Sequence, residues 1–269
     1  MGESLFFMQN VTKVLSNMSV VFTFILLVIR FSAMFLMIPG IGAAQRGIAA
    51  KYSAILLFAY VAIYTSPIVP LPSDLGRMVG MMLSELALGA CIGLIPLLMV
   101  AALQNAGQIS STSMGLQAGA VMDPSTGVSV AELAKIFGDL FILAFLYTNS
   151  HHILFMAASG LNGRLVPGSF LVGESTLEFV VQRSADIFHY GLLFAAPIVV
   201  ALLLTNFVMG LISKAVPTVN IFIVSFPLTI GIGLILTLLM IPELMQAAEK
   251  LIVSTDNSIA VITEDATLR

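Results

Sequence analysis

Long apolar segments separated by short polar connectors constrain the fold of this chain more than any other feature. Two of them, 78–103 and 187–212, hold 26 residues each with at most one formal charge, whereas a helix that crosses a bilayer needs roughly 20. Within hydrocarbon, a helix pairs its backbone N–H and C=O groups internally. The pattern therefore predicts an all-α polytopic membrane protein.

The sequence contains six such segments if one interrupted segment is counted once. Pro96, Pro197 and Pro227 lie inside three of them and predict kinked helices. An even number of spans places both chain ends on the same side of the membrane. Positive charges divide almost equally between the two sides, so the positive-inside rule predicts no orientation. The segments are 20–38, 52–69, 78–103, 136–158 with a break at 148–152, 187–212 and 219–241.

Composition excludes several classes of function. Charged residues make up 9% of the chain and the mean hydropathy is +1.06, whereas ordinary globular domains are about 25% charged. The net charge of −3 comes without a basic cluster, so no nucleic-acid partner is expected. Cys91 is the single cysteine, which excludes a disulfide framework within the chain.

The polar stretch 104–132 is unusual for a connector between apolar segments. It carries no formal charge before Asp123 and is rich in Gly, Ser and Gln, which suits neither bulk water nor a lipid-facing helix. Asp123-Pro124 predicts a stop in whatever structure precedes it. Non-helical backbone persists at membrane depth only where protein buries it or where it lines a watery passage. Two interpretations stay open: a loop that lines or closes a pore, and an ordinary extramembrane connector.

Three formally charged residues lie inside apolar segments: Arg30, Glu85 and Asp139. An unpaired charge within the membrane is costly, which makes each of them a candidate for function. A structural ion pair, for instance between Arg30 and Glu85, is the alternative. Glu85, Gly89 and Gly93 recur every four residues and so share one helix face, where the glycines permit the close approach of another helix.

The sequence shows no catalytic or metal-binding motif, and no cofactor is predicted. His151 and His152 would point apart on a helix, and His189 is distant in the sequence. No nucleophile–base pair accompanies them, so neither a metal site nor an intramembrane enzyme is expected. A group of methionines suits either a soft pore seal or ordinary apolar packing: Met78, Met81 and Met82.

Several motifs follow one another in a recognisable order. The most specific is Ala106-Gly107-x(7)-Gly115-Leu116-x(6)-Asp123-Pro124, and Asn149-Ser150-His151 is similar to a family Asn-Gly-His motif from which Ser150 departs. The others are Arg30 to Pro39 with Arg46 and Lys51, Glu85-x(3)-Gly89-x(3)-Gly93, Pro197 with Leu202 to Asn206, Gly210-Leu211, Pro217, and Asn220 to Thr229. Together they resemble the R-type export-gate subunits of flagellar type III secretion (the FliR family) and their T-type injectisome counterparts.

The resemblance implies a non-enzymatic subunit of a protein-conducting export gate. Its partners would be P-type and Q-type subunits in a closed helical hetero-oligomer, together with the B-type switch subunit and rod proteins. Unfolded flagellar or effector proteins would pass through the centre, and the assembly would seed the rod or needle. The implied location is the bacterial inner membrane, in the flagellar basal body, with the assembly protruding toward the periplasm.

The resemblance also assigns roles along the chain. Residues 1–159 would form a four-segment part similar to a P-type subunit, and 160–269 a connector, a helical hairpin similar to a Q-type subunit and a mobile tail. A pore plug loop is implied at Met114, Gly115, Leu116, Gln117, Ala118, Gly119, Ala120, Val121, Met122, Asp123 and Pro124. Buried polar or structural roles are expected for Arg30, Glu85, Gly89, Gly93, Asp139, Asn206, Pro217, Asn220 and Pro227.

A secondary transporter of small solutes is the alternative function. Such proteins also combine broken helices with charges near mid-span. A transporter would show inverted repeats and a solute site that converges on Arg30 or Glu85, whereas no repeat is evident in this sequence.

Overall fold

The computed structural model of the chain describes residues 17–40, 48–116, 131–160, 165–216 and 221–267. Every regular element in these ranges is an α-helix, which confirms the predicted all-α class. A helix pairs its backbone groups internally, which is why long apolar segments adopt it. In chain order the helices are α1 (Met18–Met37), α2 (Ile48–Ala62), α3 (Leu75–Ser113), α4 (Ala131–Tyr147), α5 (Ser150–Ser159), α6 (Glu174–Ala215) and α7 (Ile221–Thr267).

The chain divides into two compact units, each built from several pieces of sequence. Unit 1 comprises Met1–Leu97, Asn149–Val181 and Ser254–Arg269, and unit 2 comprises Leu98–Thr148 and Gln182–Val253. The long helices α3, α6 and α7 therefore each contribute residues to both units. The sequence-based division between 159 and 160 follows the resemblance rather than contacts, and it stays a prediction.

Helix α1 of unit 1 has clear signals at both ends. The Asn17 side chain accepts a hydrogen bond from the Ser19 N–H at 3.2 Å, which caps the first turn. Ile38 is extended, as expected for a residue that precedes a proline, so the helix ends at Met37.

Four phenylalanines form an apolar cluster in unit 1 and join α1, α2 and α5. The centroid of the Phe58 ring lies 4.5 Å from that of Phe155, which lies 5.5 Å from that of Phe35. Phe31 completes the cluster, with its centroid 5.9 Å from that of Phe58. Aromatic pairs at such distances contribute about 0.5–1.5 kcal/mol each beyond the area they bury. The cluster therefore holds α1 against the two shorter helices.

Helix α2 is shorter than the predicted span 52–69, and that prediction is wrong. The helix begins at Ile48 and ends at Ala62, 15 residues in all. It cannot continue through Pro67, which lacks an N–H and whose ring would clash with the carbonyl four residues earlier. The chain then runs on in an irregular segment whose Val69 N–H donates to Thr23 Oγ1 at 3.0 Å.

By length and composition, four helical stretches among the described residues are long and apolar enough to cross a membrane. They are Met18–Met37, Leu75–Ser113, Thr176–Ala215 and Ile223–Gln246. A two-residue break separates α4 from α5, at the interruption expected from the sequence, and this pair would count as a fifth span. The described residues thus contain five such spans at most rather than the predicted six, because α2 is too short.

The polar stretch predicted as a loop begins as helix. Helix α3 continues from Gln104 to Ser113, so only the residues after it belong to the connector. Gly107 does not bend the chain; a methyl there would lie 2.6 Å from Ala134 Cα, because α4 passes directly against it. The Ser113 hydroxyl donates to the Ile109 carbonyl at 2.9 Å, which lets a polar side chain stay in a helix. Packing within unit 2 thus overrides the polar composition.

Two other polar stretches are also helical. Helix α6 begins at Glu174, inside the predicted connector, and the negative charge of Glu174 suits a first turn. Arg183 and Asp186 form an ion pair at 3.2 Å one turn apart on the same helix. Helix α7 runs to Thr267, through the residues predicted as a tail.

Candidate functional site

A fully buried ion pair lies within unit 1. Within the described residues, Arg30 on α1 and Glu85 on α3 are the only buried charged side chains, and both are 0% exposed. Arg30 Nε lies 2.5 Å from Glu85 Oε2 and Arg30 Nη2 lies 2.9 Å from Glu85 Oε1. Two parallel hydrogen bonds of this kind match the planar guanidinium to the carboxylate. The structural ion pair considered from the sequence is therefore present.

Two backbone groups complete the network around this pair. Arg30 Nη1 donates to the Ala158 carbonyl at 3.0 Å, near the end of α5. The Gly168 N–H donates to Glu85 Oε1 at 2.6 Å. A buried ion pair is tolerated when its geometry is good and its remaining donors and acceptors find partners. The network therefore joins α1, α3, α5 and the segment around Gly168.

The glycines that share a face with Glu85 let α1 approach α3 closely. A methyl at Gly93 would lie 2.7 Å from Met37 Cβ and 2.8 Å from the Met34 carbonyl oxygen. At Gly89 it would collide with the carbonyl oxygen of Arg30 itself. Both glycines are buried, and the helix–helix contact predicted from their spacing is confirmed.

Gly168 and Ala158 are parts of the network that sequence reasoning missed. Gly168 has φ +78°, a conformation that favours glycine, and a methyl there would lie 2.9 Å from Met81 Cβ. The available signal was the dipeptide Pro167-Gly168, which is typical of turns. Ala158 had no signal, because it takes part through its backbone carbonyl.

The chemistry of this arrangement is structural. Arg30 and Glu85 have no exposed surface, and the charge of each is compensated by the other. Neither side chain presents a free charge to a solute. The network can therefore hold these helices in register.

The predicted plug loop begins directly after α3, in unit 2. Met114 is 1% exposed, and its carbonyl accepts a hydrogen bond from Thr229 Oγ1 at 3.3 Å. Gly115 has φ +79°, the left-handed conformation that commonly ends a helix. Leu116 is half-buried. The other predicted loop residues lie outside the described residues: Gln117, Ala118, Gly119, Ala120, Val121, Met122, Asp123 and Pro124.

Three residues that were predicted to be buried are exposed in the chain: Asp139, Asn206 and Pro227. In the single chain, α4, α6 and α7 leave much of their surface uncovered, so burial of these three residues stays a prediction for the assembled protein. Pro217 and Asn220 lie outside the described residues.

The histidines extend the aromatic cluster of unit 1. The expectation that His151 and His152 point apart is wrong, because the centroids of their rings lie 4.3 Å apart. His151 also contacts Phe155 edge-on, with the ring centroids 6.1 Å apart. In the described part of the chain, no group of three or more His, Cys, Asp or Glu side chains comes close enough to hold a metal ion.

Comparison with known protein families gives a match over most of the chain. Residues 21–255 match the family described as bacterial export proteins, family 1. The chain belongs to this family. The matched region of this export protein includes the buried ion pair, its two glycines and all of the predicted plug loop.

Named relatives are similar across most of this export protein. The flagellar biosynthetic protein FliR of Bacillus subtilis strain 168 is 29% identical over 225 residues, which cover 79% of this chain and 83% of the relative. The protein of the same name from Escherichia coli K12 is 28% identical over 184 residues, covering 68% and 70%. The Yop proteins translocation protein T of Yersinia pestis is 24% identical over 235 residues, covering 85% and 89%.

Proposed function

We propose that this export protein is a non-enzymatic subunit of the type III secretion export apparatus, where it helps to form and seal a protein-conducting channel. The family match over residues 21–255 carries the proposal. Similar proteins are named for flagellar biosynthesis in two of the bacteria above and for Yop translocation in the third. Unfolded flagellar or effector proteins would be the cargo, and the assembled channel would seed the rod or needle.

The exposed apolar surface of α6 and α7 supports the binding of partner subunits. In the most apolar stretches of α6 and α7, 22% of the residues are buried, against 50% in α1 and 56% in α3. Large apolar side chains are exposed there, among them Phe188, Phe207 and Leu239. Such a surface needs to be covered by lipid or by other helices. We assign it to P-type and Q-type subunits of a hetero-oligomer, with the B-type switch subunit and rod proteins as further partners.

The loop Met114–Pro124 is our candidate for the seal of the channel. Its first residues are anchored in unit 2, where Met114 is buried. The loop has no charged residue before Asp123, so its first nine residues contain no side chain that could hold it in place through an ion pair. Weak contacts suit a seal that has to yield to a passing chain.

The bacterial inner membrane is the location we propose, within the flagellar basal body and with the assembly protruding toward the periplasm. The apolar helical stretches described above support a membrane-embedded chain. The buried ion pair also bears on the transporter alternative, since Arg30 and Glu85 are engaged with each other and have no exposed surface. We therefore do not adopt a solute-transport function.

Affinity purification tests the proposal. The full-length chain, tagged and expressed in its own cells, is extracted in mild detergent, and copurifying proteins are identified by mass spectrometry. We expect P-type and Q-type subunits at a fixed ratio to the chain. Cells that lack the chain should also stop secreting export substrates and recover when it is restored. A folded, monodisperse monomer without other subunits, from cells that export normally, would contradict the proposal.

A further inference from the structure

Met114, the residue that follows α3, lies in a notch on α7. Gly233 forms the notch because it has no side chain; a methyl there would lie 2.5 Å from Met114 Cγ and 2.8 Å from Met114 Sδ. Gly233 is buried, and Met114 retains 1% exposure. The flexible methionine side chain therefore fills a space that only glycine leaves open.

A hydrogen bond also joins Met114 to α7, at Thr229, one helical turn before Gly233. Thr229 Oγ1 donates to the Met114 carbonyl at 3.3 Å, and Thr229 is buried. The carbonyls of Ser225 and Phe226, at 3.0 and 3.1 Å, compete for the single hydroxyl proton, so the bond to Met114 is shared. Carbonyls at the end of a helix lack partners within it, and Thr229 supplies one here.

A third contact lies one turn further along α7. Gly115, with φ +79°, turns the chain at the end of α3, and the Phe226 ring lies 3.6 Å from where a β-carbon of Gly115 would be. The end of α3 therefore contacts three successive turns on one face of α7, at Phe226, Thr229 and Gly233. All of these residues belong to unit 2.

We propose that Thr229 and Gly233 are positioning residues that lock the end of α3 onto α7 and so set where the loop Met114–Pro124 begins. We call Met114, Thr229 and Gly233 the α3 latch. The proposal rests on the sealing role proposed above for that loop. No charged side chain takes part in the latch, so it is held by the fit of Met114 into the notch and by one shared hydrogen bond.

Cysteine cross-linking tests the geometry of the latch. A β-carbon at position 233 would lie 2.5 Å from Met114 Cγ, and one carbon–carbon bond of about 1.5 Å separates Cγ from Cβ. The two β-carbons would therefore lie at most about 4.0 Å apart, within disulfide range. In a Cys91→Ser background, Met114→Cys with Gly233→Cys should form an intramolecular disulfide in the assembled complex.

The matched control is Met114→Cys with Gly231→Cys. A methyl at Gly231 meets no atom of the described chain within 4 Å, so position 231 lies away from the notch. We expect this pair to remain uncross-linked under the same oxidation. Equal cross-linking of both pairs, or none at 233, would overturn the latch whatever the function of the chain.

Ion leak through the assembled complex tests what the latch does. Gly233→Leu should displace Met114 and raise the leak several-fold while the partner subunits still copurify, whereas Gly231→Leu should leave the leak unchanged. Combining Gly233→Leu with Met114→Ala should restore the seal, because the new leucine side chain then fills the space that the Met114 side chain occupied and the two helices keep their contact. If Gly233→Leu fails to assemble, Gly233→Ala with and without Met114→Ala takes its place.

The outcomes separate the latch from the proposed function. An assembled Gly233→Leu or Gly233→Ala complex as tight as the parent would overturn the positioning role, even with the cross-link in place. A raised leak that Met114→Ala fails to reverse would overturn it as well, since the defect would then lie outside the latch. A parent chain that copurifies with no export subunit would instead contradict the proposed function.

Discussion

Arg30 and Glu85 lie 55 residues apart in the chain and meet as a bidentate, fully buried ion pair. The pair joins α1 to α3 in unit 1, and both helices are long and apolar enough to span a membrane. Two charged side chains therefore lie inside apolar segments, and neither is exposed to lipid or left buried without an opposite charge.

Removing one member of the pair should strongly destabilise the chain. Glu85→Gln leaves the Arg30 charge buried without a carboxylate, a change that costs about 3–5 kcal/mol in comparable sites. We expect a lower unfolding temperature and a lower yield of the purified complex. Glu243→Gln is the control, because Glu243 is exposed on α7. Equal stability of the two variants would show that the pair is dispensable.

Replacing both members with apolar residues should be less harmful than replacing one. Arg30→Met with Glu85→Leu removes both charges, so no uncompensated charge stays buried. Recovery should be partial, because the Ala158 carbonyl and the Gly168 N–H lose their partners at about 1–3 kcal/mol for each unsatisfied group. Unfolding temperatures of the double variant and of Arg30→Met and Glu85→Leu alone measure the energetic coupling between the two residues. A double variant as unstable as the sum of the singles would contradict it.

A methyl group should be tolerated at one glycine of α3 and not at another. Gly93→Ala forces a methyl to 2.7 Å from Met37 Cβ, and overpacking of this kind costs about 1–3 kcal/mol. Gly80→Ala is the matched control on the same helix, since a methyl there meets nothing within 4 Å among the described residues. It should even stabilise the helix by roughly 0.5–1 kcal/mol. If Gly93→Ala and Gly80→Ala shift the unfolding temperature in the same direction, the prediction is refuted.

Gly168→Ala should weaken the network from the side of its backbone donor. Its φ of +78° is unfavourable for alanine by about 1–2 kcal/mol, and the new methyl would lie 2.9 Å from Met81 Cβ. Adding Met81→Ala should relieve part of the collision with the Met81 side chain and leave the backbone strain. Comparing the unfolding temperatures of the single and double variants separates the two contributions. Full recovery in the double variant would mean that the backbone conformation carries no cost.

Shortening the proposed seal should let ions leak through the channel without preventing the complex from assembling. Deleting 117–120 retains Met114 and the α3 latch but removes part of the loop, so the partner subunits should still copurify while ions leak through the complex. Conductance, or growth sensitivity to small solutes, measures the leak in cells that express parent and variant at equal levels. An assembled deletion complex as tight as the parent would show that the seal lies elsewhere and that the loop is a connector.

Local composition and spacing predicted much of the fold. Arg30 and Glu85 could be singled out because a charge is rare in an apolar segment, and the four-residue spacing of Gly89 and Gly93 revealed a contact face. The extent of α3 was misjudged, because polar residues such as Gln104 do not reveal that α4 packs against Gly107. The exposure of Asn206 in the single chain could not be predicted either, since an apolar segment does not indicate which of its faces another helix covers.

The sequence by itself determined that the chain is all-α, that most of its helices are apolar enough for a membrane, and that its buried charges needed partners. These properties are local, because helix formation and hydrophobicity depend on residues a few positions apart. Only the tertiary structure decided that Ala158 and Gly168 complete the ion-pair network and that Gly233 receives Met114. Backbone carbonyls, backbone N–H groups and the empty space beside a glycine look alike at every position of a sequence. They acquire a role only when folding brings distant segments into contact.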